Sequence, residues 1–270
     1  MRQIKGFIQI YSRQTRDRIV EAGQAILRQA GLEVLSTELF ACVDELIKNA
    51  VKANYKYLLL REQIHERFRQ IWPDKTEREI DEDIDDLVRL PERFNRIAGE
   101  ILDSGDISSV VRDILNEESC LLTIKNRAYG EGRPCTAGEK ALIEGLGKIS
   151  RMRAAIRERN IRVILRIQVD DHFIYIEVTN TAPILKRDLN RIHEKRDEHR
   201  RYRDAGREHE YFVDYIDTSE SGFGLGYAKI DVILNSWGLG EMDPITIISS
   251  INTTVMLTLP LEELRERYHR

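Results

Sequence analysis

Residues 44–54, DELIKNAVKAN, place Glu45, Asn49 and Lys52 at offsets of four and three. On an α-helix those offsets keep the three side chains within about 60° of circumference, so they point together. Leu35, Leu39, Val43, Leu46, Ile47 and Ala50 recur beside them at spacings of three and four. That stripe predicts a half-buried helix over about residues 35–53. A carboxylate, a carboxamide and an ammonium on one arc suit a nucleotide: the Asn oxygen for a magnesium ion, the Lys for a phosphate, the Glu to polarise water. A solvated helix face with an i to i+4 ion pair uses the same residue types, so a second signal is needed.

That signal is SGFGLGYAKI, residues 221–230, where Gly222, Gly224 and Gly226 run straight into a helical pattern. Side chains there would stop backbone N–H groups from closing on phosphates, and the N-terminus of the following helix carries partial positive charge. The stretch lacks the Gly-Lys-Ser/Thr end of a Walker A loop. Tyr227 stands where a Rossmann fingerprint needs its third glycine, so both common phosphate loops are excluded.

Working outward, residues 4–11 read as a short strand and 12–30 as a helix ending near Gly31. IRVILRIQV (161–169) and FIYIEV (173–178) alternate apolar residues with period two around the turn DDH, and ITIISS (245–250) and TTVMLTLPL (253–261) close the chain as strands. The charged segment from about 186 to 220 reads as a loop. Helices, hairpin, loop, helix, hairpin predict an α+β fold with helices on one face of a mostly antiparallel sheet. Residues 55–159 differ, being rich in Arg, Glu, Asp and Ile at helical spacing with breaks near Pro73, Pro91, Gly105 and YGEGRPCTAG (129–138). We read them as a helical insertion splitting a domain made of residues 1–54 and 160–270.

Composition narrows the function classes. Lys plus Arg (42) nearly cancel Asp plus Glu (46), so a net charge of -4 gives no field to draw nucleic acid or an anionic membrane. No window approaches the roughly 18 apolar residues of a membrane span, and a cytoplasmic location is expected. Cys42, Cys120 and Cys135 are odd in number and lack metal-ligand spacing, which suggests reduced thiols.

ELIKNAVKA, IEVTNTAPI, SGFGLGYAKIDVI and TTVMLTLPL follow one another in the order found in the ATPase domain shared by sensor histidine kinases, type II topoisomerases, mismatch repair proteins and ninety-kilodalton chaperones. The chain thus resembles the GHKL superfamily, with the histidine-kinase branch closest, over about residues 35–53 and 162–260. The resemblance implies a Bergerat fold, a two-layer α/β sandwich, with ATP and magnesium as ligands. It implies that Asn49 holds the magnesium ion and that Glu45 activates water. It assigns nucleotide contacts to Lys52, Ala53, Asn180, Gly222, Phe223, Gly224, Leu225, Gly226 and Thr253, and a mobile lid to about 185–221. One departure is plain: the family carries Asp-x-Gly-x-Gly after the middle hairpin, whereas NTAPI here sets Asn180 at the Asp position and Ala182 and Pro183 where glycines are expected.

Residues 1–34 contain no histidine, which excludes autophosphorylation in the layout of the kinases it resembles. His65, His193, His199 and His209 read as solvated. The expected activity is magnesium-dependent ATP hydrolysis; phosphotransfer to a separate protein and non-catalytic nucleotide sensing are the alternatives. The insertion is a candidate surface for a protein partner or a homodimer.

Overall fold

The computed structural model describes residues 2–105, 107–216 and 225–268. Along the chain, β1 (Arg2–Ile8), α1 (Arg13–Ala30) and α2 (Ser36–Ile71) precede α3 (Glu77–Val88), α4 (Pro91–Ser104), α5 (Ile107–Gly130), α6 (Ala137–Glu144) and α7 (Gly147–Glu158). Then come β2 (Val163–Val169), β3 (Phe173–Asn180), α8 (Lys186–Asp204), α9 (Glu208–Ile216), α10 (Leu225–Ser236), β4 (Ile245–Ser249), β5 (Thr253–Pro260) and α11 (Leu261–Tyr268). Two compact units result: Met1–Phe7 with Arg18–Ala50 and Val163–Arg270, and Ile8–Asp17 with Val51–Arg162.

The first unit is α+β. Its five-stranded sheet has the order β1-β2-β3-β5-β4, with β2–β3, β3–β5 and β4–β5 all antiparallel. Alternation in the sequence becomes alternation in burial: Val163, Leu165, Ile167, Ile174, Ile176, Val178, Val255, Leu257 and Leu259 are buried. The opposite face stays half-exposed and carries the cross-strand pair Arg166–Glu177 at 2.9 Å. Period two and a single apolar set therefore fix which face meets the helices.

Specific contacts order the helices. An added Cβ on Gly23 of α1 would lie 2.7 Å from Cε1 of Phe40 on α2, so α1 and α2 touch through a missing side chain. The N-terminal half of α2 buries Leu39, Val43, Leu46 and Ile47. Cys42, on the same stripe, is a free thiol. Burial, reinforced by Glu38 and Asp231, pushes its pKa up to about 12, so it stays a protonated filler. At the other end of the chain the Arg265 guanidinium of α11 donates to the Ala30 carbonyl at 3.1 and 3.2 Å, satisfying an end of α1.

The second unit is helical among the described residues. Its helices break where Pro73, Pro91, Gly105 and residues 131–136 interrupt the pattern. Pro91 sits in the first turn of α4, where its missing N–H costs no hydrogen bond. Capping boxes at Thr76/Glu79 and Thr136/Glu139 start α3 and α6. Ile64, Ile80, Ile84, Phe94, Ala98, Val111, Ile114, Ile149 and Ile156 form the core. Two buried guanidinium clusters accompany it. Arg61 donates to Asp85 (2.6 Å), Asp81 (3.1 Å) and the Asp81 carbonyl (3.2 Å), and Glu118 accepts from Tyr55 (2.6 Å) and Arg153 (3.2 Å).

Three features depart from the sequence reading. The helix expected to end near residue 53 continues to Ile71, because Leu58, Leu60, Ile64 and Phe68 carry its apolar stripe on and no Gly or Pro occurs before Pro73. Residues 8–17 fall with the second unit, and β1 ends at Ile8. The segment read as a loop from 186 is two helices, α8 and α9; residues 217–220 lie outside the described ones.

Glycine chemistry gives opposite expectations in the two units. Gly23→Val should lower the unfolding free energy from urea titration by about 1–3 kcal/mol through overpacking against Phe40. Gly99→Ala, inside α4 with nothing within 4 Å of an added Cβ, should raise it by about 0.5–1 kcal/mol. Equal effects of the two changes would contradict the packing of α1 on α2.

Candidate functional site

Of the sequence candidates, Glu45, Asn49, Asn180, Leu225, Gly226 and Thr253 lie at one end of the first unit. Glu45 of α2 packs against the first turn of α10: an added Cβ on Gly226 would lie 2.9 Å from both Cγ and Cδ of Glu45. Two turns earlier, Glu38 accepts from the indole N–H of Trp237, which follows the last turn of α10. Pairing 45 with 226 and 38 with 237 makes α2 and α10 antiparallel neighbours. The N-terminus of α10 therefore faces the part of α2 that carries Glu45 and Asn49.

The sheet contributes the ends of β3 and β5 at the same place. Asn180 pairs in register with Thr253, and its amide donates to the carbonyl of Ala50, the residue after Asn49, at 3.3 Å. The Asn180 Oδ1 accepts from the Ala182 N–H at 3.4 Å, and the Thr253 hydroxyl donates to the Ala182 carbonyl at 3.1 Å. Asn180, Ala182 and Thr253 are all buried. The segment after β3 is thus tied at both backbone polar groups of Ala182.

Glu45 and Asn49 are half-buried, and no hydrogen bond or ion pair engages either among the described residues. A carboxylate at the first turn of a helix is favoured by the N–H groups there by about 0.3–1 kcal/mol. Lys52 and Ala53 lie farther along α2, half-buried and just inside the second unit. Leu225 is half-buried and Gly226 buried in the first turn of α10, whereas Gly222, Phe223 and Gly224 lie outside the described residues.

Several residues that hold α10 against α8 were not singled out in the sequence. Asp231 of α10 receives Arg196 of α8 through two hydrogen bonds, Nε at 3.0 Å and Nη2 at 2.8 Å, and the same guanidinium reaches Asp243 at 2.6 Å. Burial opposes the charge on Arg196, but these carboxylates outweigh it and its pKa is raised. Asp243 is held below the usual carboxylate range: burial works against that, and Arg196 and Arg200 more than compensate. Tyr227, buried and one helical turn from Asp231, keeps its proton; burial raises its pKa, Arg196 opposes, and Asp231 and Glu45 reinforce. The i to i+4 spacing of Tyr227 and Asp231 was the available signal, hidden because their partner lies on a segment read as a loop.

The residues fit a magnesium nucleotide in kind. Glycine at 226 admits the Glu45 carboxylate to the end of α10, Asn49 offers an uncharged oxygen on the next turn of α2, and Asn180 retains acceptor capacity at Oδ1. No group of three or more His, Cys, Asp and Glu able to hold a metal occurs among the described residues. Magnesium bound with a nucleotide needs only one or two protein ligands, phosphates and water supplying the rest. A separate cavity of about 470 Å³ opens at the opposite end of β3 and β5, lined by Asp171, His172, Phe173, Pro260, Glu262, Glu263, Arg265 and Glu266. Its four carboxylates repel phosphates, so it is a poor nucleotide site.

No helix among the described residues is long and apolar enough to cross a membrane. Scans of the chain against protein-family models, curated proteins and solved structures give no match.

The contact between α2 and α10 is testable by a double-mutant cycle. Gly226→Ala should destabilise by about 1 kcal/mol because its methyl displaces the Glu45 side chain. In a Glu45→Ala background the same change should become neutral or stabilising by up to about 1 kcal/mol, through helix propensity. Additive effects would mean that the two residues do not touch.

Proposed function

We infer that the chain is a magnesium-dependent ATP-binding protein of the histidine-kinase-like ATPase type, with the first unit as a Bergerat-type domain, a two-layer sandwich of helices on the antiparallel sheet. The observation that carries this reading is the seating of the Glu45 carboxylate on Gly226 at the first turn of α10. It brings the Asn-bearing helix and the end of the glycine segment together, although they are far apart in sequence. Support also comes from the β3 end, where Asn180 and Thr253 close the same edge.

When bound, magnesium-ATP supplies an electrophilic γ-phosphorus whose negative charge the metal offsets. The chain's own groups divide the remaining work. The N–H groups at the start of α10 provide partial positive charge for an anion. Asn49 presents a neutral oxygen, which binds a hard cation without adding negative charge beside phosphates. Glu45 is the candidate base: half-buried and without an ion-pair partner among the described residues, it can orient a water and take its proton. Asn180 Oδ1 is the acceptor for the adenine amino group. Lys52 is the candidate phosphate contact from α2.

The same observation favours a second reading, a non-catalytic nucleotide-binding module in which Glu45 only complements the positive end of α10. Phosphotransfer to a separate protein is a third outcome of the same chemistry, with a hydroxyl replacing water.

Thermal melting with ATP and magnesium separates these readings. At about a hundredfold excess over Kd the ligand adds about 2.7 kcal/mol, a rise of about 5–10 °C, and Asn49→Ala should remove it. Glu45→Gln should keep the rise and abolish phosphate release. Release unchanged by Glu45→Gln would remove the base assignment, while a rise with no release to water or protein would favour the sensor. No rise at millimolar ATP would end the nucleotide reading.

A further inference from the structure

The α8–α9 hairpin closes on a buried histidine that the proposed chemistry does not use. His199 of α8 is 0% exposed, its ring edge-on to Tyr211 and Phe212 of α9 at 5.1 and 5.7 Å between centroids. Among the described residues neither ring nitrogen makes a well-directed hydrogen bond. Nε2 lies 3.2 Å from Oε1 of Glu208, the first residue of α9, off the direction of a good hydrogen bond, and that buried oxygen has no other partner among the described residues. Around this pair the hairpin is otherwise satisfied. Tyr211 donates to the Lys195 carbonyl at 3.3 Å, Tyr202 to Asp214 at 3.0 Å, and Tyr215 to Glu198, while Lys195 sits 3.6 Å over the Tyr215 ring.

We propose that His199 is an acid-sensitive clasp: its uncharged, fully enclosed imidazole holds α9 on α8, and protonation releases α9. The charged groups that face it are Glu208 from α9, Asp231 from α10 and Arg203 from its own helix. Burial is the largest influence and lowers its pKa; the two carboxylates raise it and Arg203 lowers it further, leaving the net value below the ordinary one. Tyr202 and Tyr211 stay protonated throughout, since Asp214 and burial respectively raise their pKa values. The linkage has a definite sign. Between the lowered value and about 6.5 the released hairpin binds a proton that the closed one does not, so closure is lost as pH falls through that window. The other depressed groups nearby, Glu198 and Asp243, are carboxylates whose contributions fade only below the ordinary carboxylate range. The interval from about 6.5 down to 5 therefore excludes these carboxylates, and the His199→Phe comparison assigns the remaining effect. The clasp does not depend on nucleotide binding.

Amide hydrogen exchange of the full chain without nucleotide tests it. Corrected for intrinsic rates, the protection of 208–216 should fall by up to about tenfold per pH unit below about 6.5, one proton being linked to opening. Protection in β3 and β5 should not change. His199→Phe, which keeps an aromatic ring between Tyr211 and Phe212, should make α9 protection independent of pH in this range. Should that variant fail to fold, the imidazole resonances of the wild type decide: that of His199 should not shift with pH until α9 exchange rises. Constant protection in the wild type, the same loss in His199→Phe, or a His199 resonance titrating near 6.5 with α9 still protected would each overturn the clasp.

Discussion

The close approach of α2 to α10 at Gly226 is the constraint on which the first unit depends. Only a residue without a side chain lets the Glu45 carboxylate lie on the first turn of α10, and Trp237 with Glu38 fixes the other end of the pair. These two contacts set the register of the helix pair. Asn180 then ties α2 to the sheet through the Ala50 carbonyl, and Gly23 ties α1 to α2 through the Phe40 ring. Each tie uses either a missing side chain or a hydrogen bond to a backbone group, and each acts over short range. The apolar stripe of α2 supplies the burial energy, but it would tolerate several rotations; these contacts select one.

On the far side of α10 the selection is electrostatic. Arg196 is buried between Asp231 and Asp243, and Arg200 reaches the second oxygen of Asp243 at 2.7 Å. Replacing such a cluster with aliphatic side chains can be neutral for stability, whereas losing one member leaves an uncompensated charge. The cluster thus acts mainly as a registry device that sets α8 against α10. It also explains how a helix as charged as α8 can pack at all: its inward positions carry a guanidinium and an imidazole, not an aliphatic stripe.

That property decides what the sequence disclosed. Helix α2 and the strands were legible because their burial follows apolar periods of three-to-four and two, in the stripe from Leu35 to Ala50 and in Val163, Leu165, Ile167 and Val169. The end of α2 was not, because the composition shifts after residue 53 although no helix breaker precedes Pro73. Helices α8 and α9 were missed because Arg196, His199 and Tyr211 do the packing, and hydrophobic periodicity is blind to them. His199, read as solvated with His193 and His209, is the residue that periodicity would have needed to count as core. Within the site, Glu45 and Asn49 were legible from their offsets and Gly226 from its motif. Tyr227, Asp231 and Arg196 required the tertiary partner to be known first.

The asparagine at 180 follows from the same geometry. Its side chain faces the Ala50 carbonyl, an acceptor, so the position needs a donor. An aspartate would set two acceptors against each other inside a buried turn, a desolvated repulsion of about 1–3 kcal/mol. Asparagine donates to α2 with one end and keeps an oxygen at the other, which the Ala182 N–H occupies only at 3.4 Å, a long contact. An sp² oxygen with two lone pairs can accept a second, shorter hydrogen bond from a ligand amino group without breaking the first. The departure from an acidic residue therefore costs the proposed site its negative charge but not its acceptor. The bonds that hold Ala182 replace by tethering the precision that glycines would leave to loop conformation.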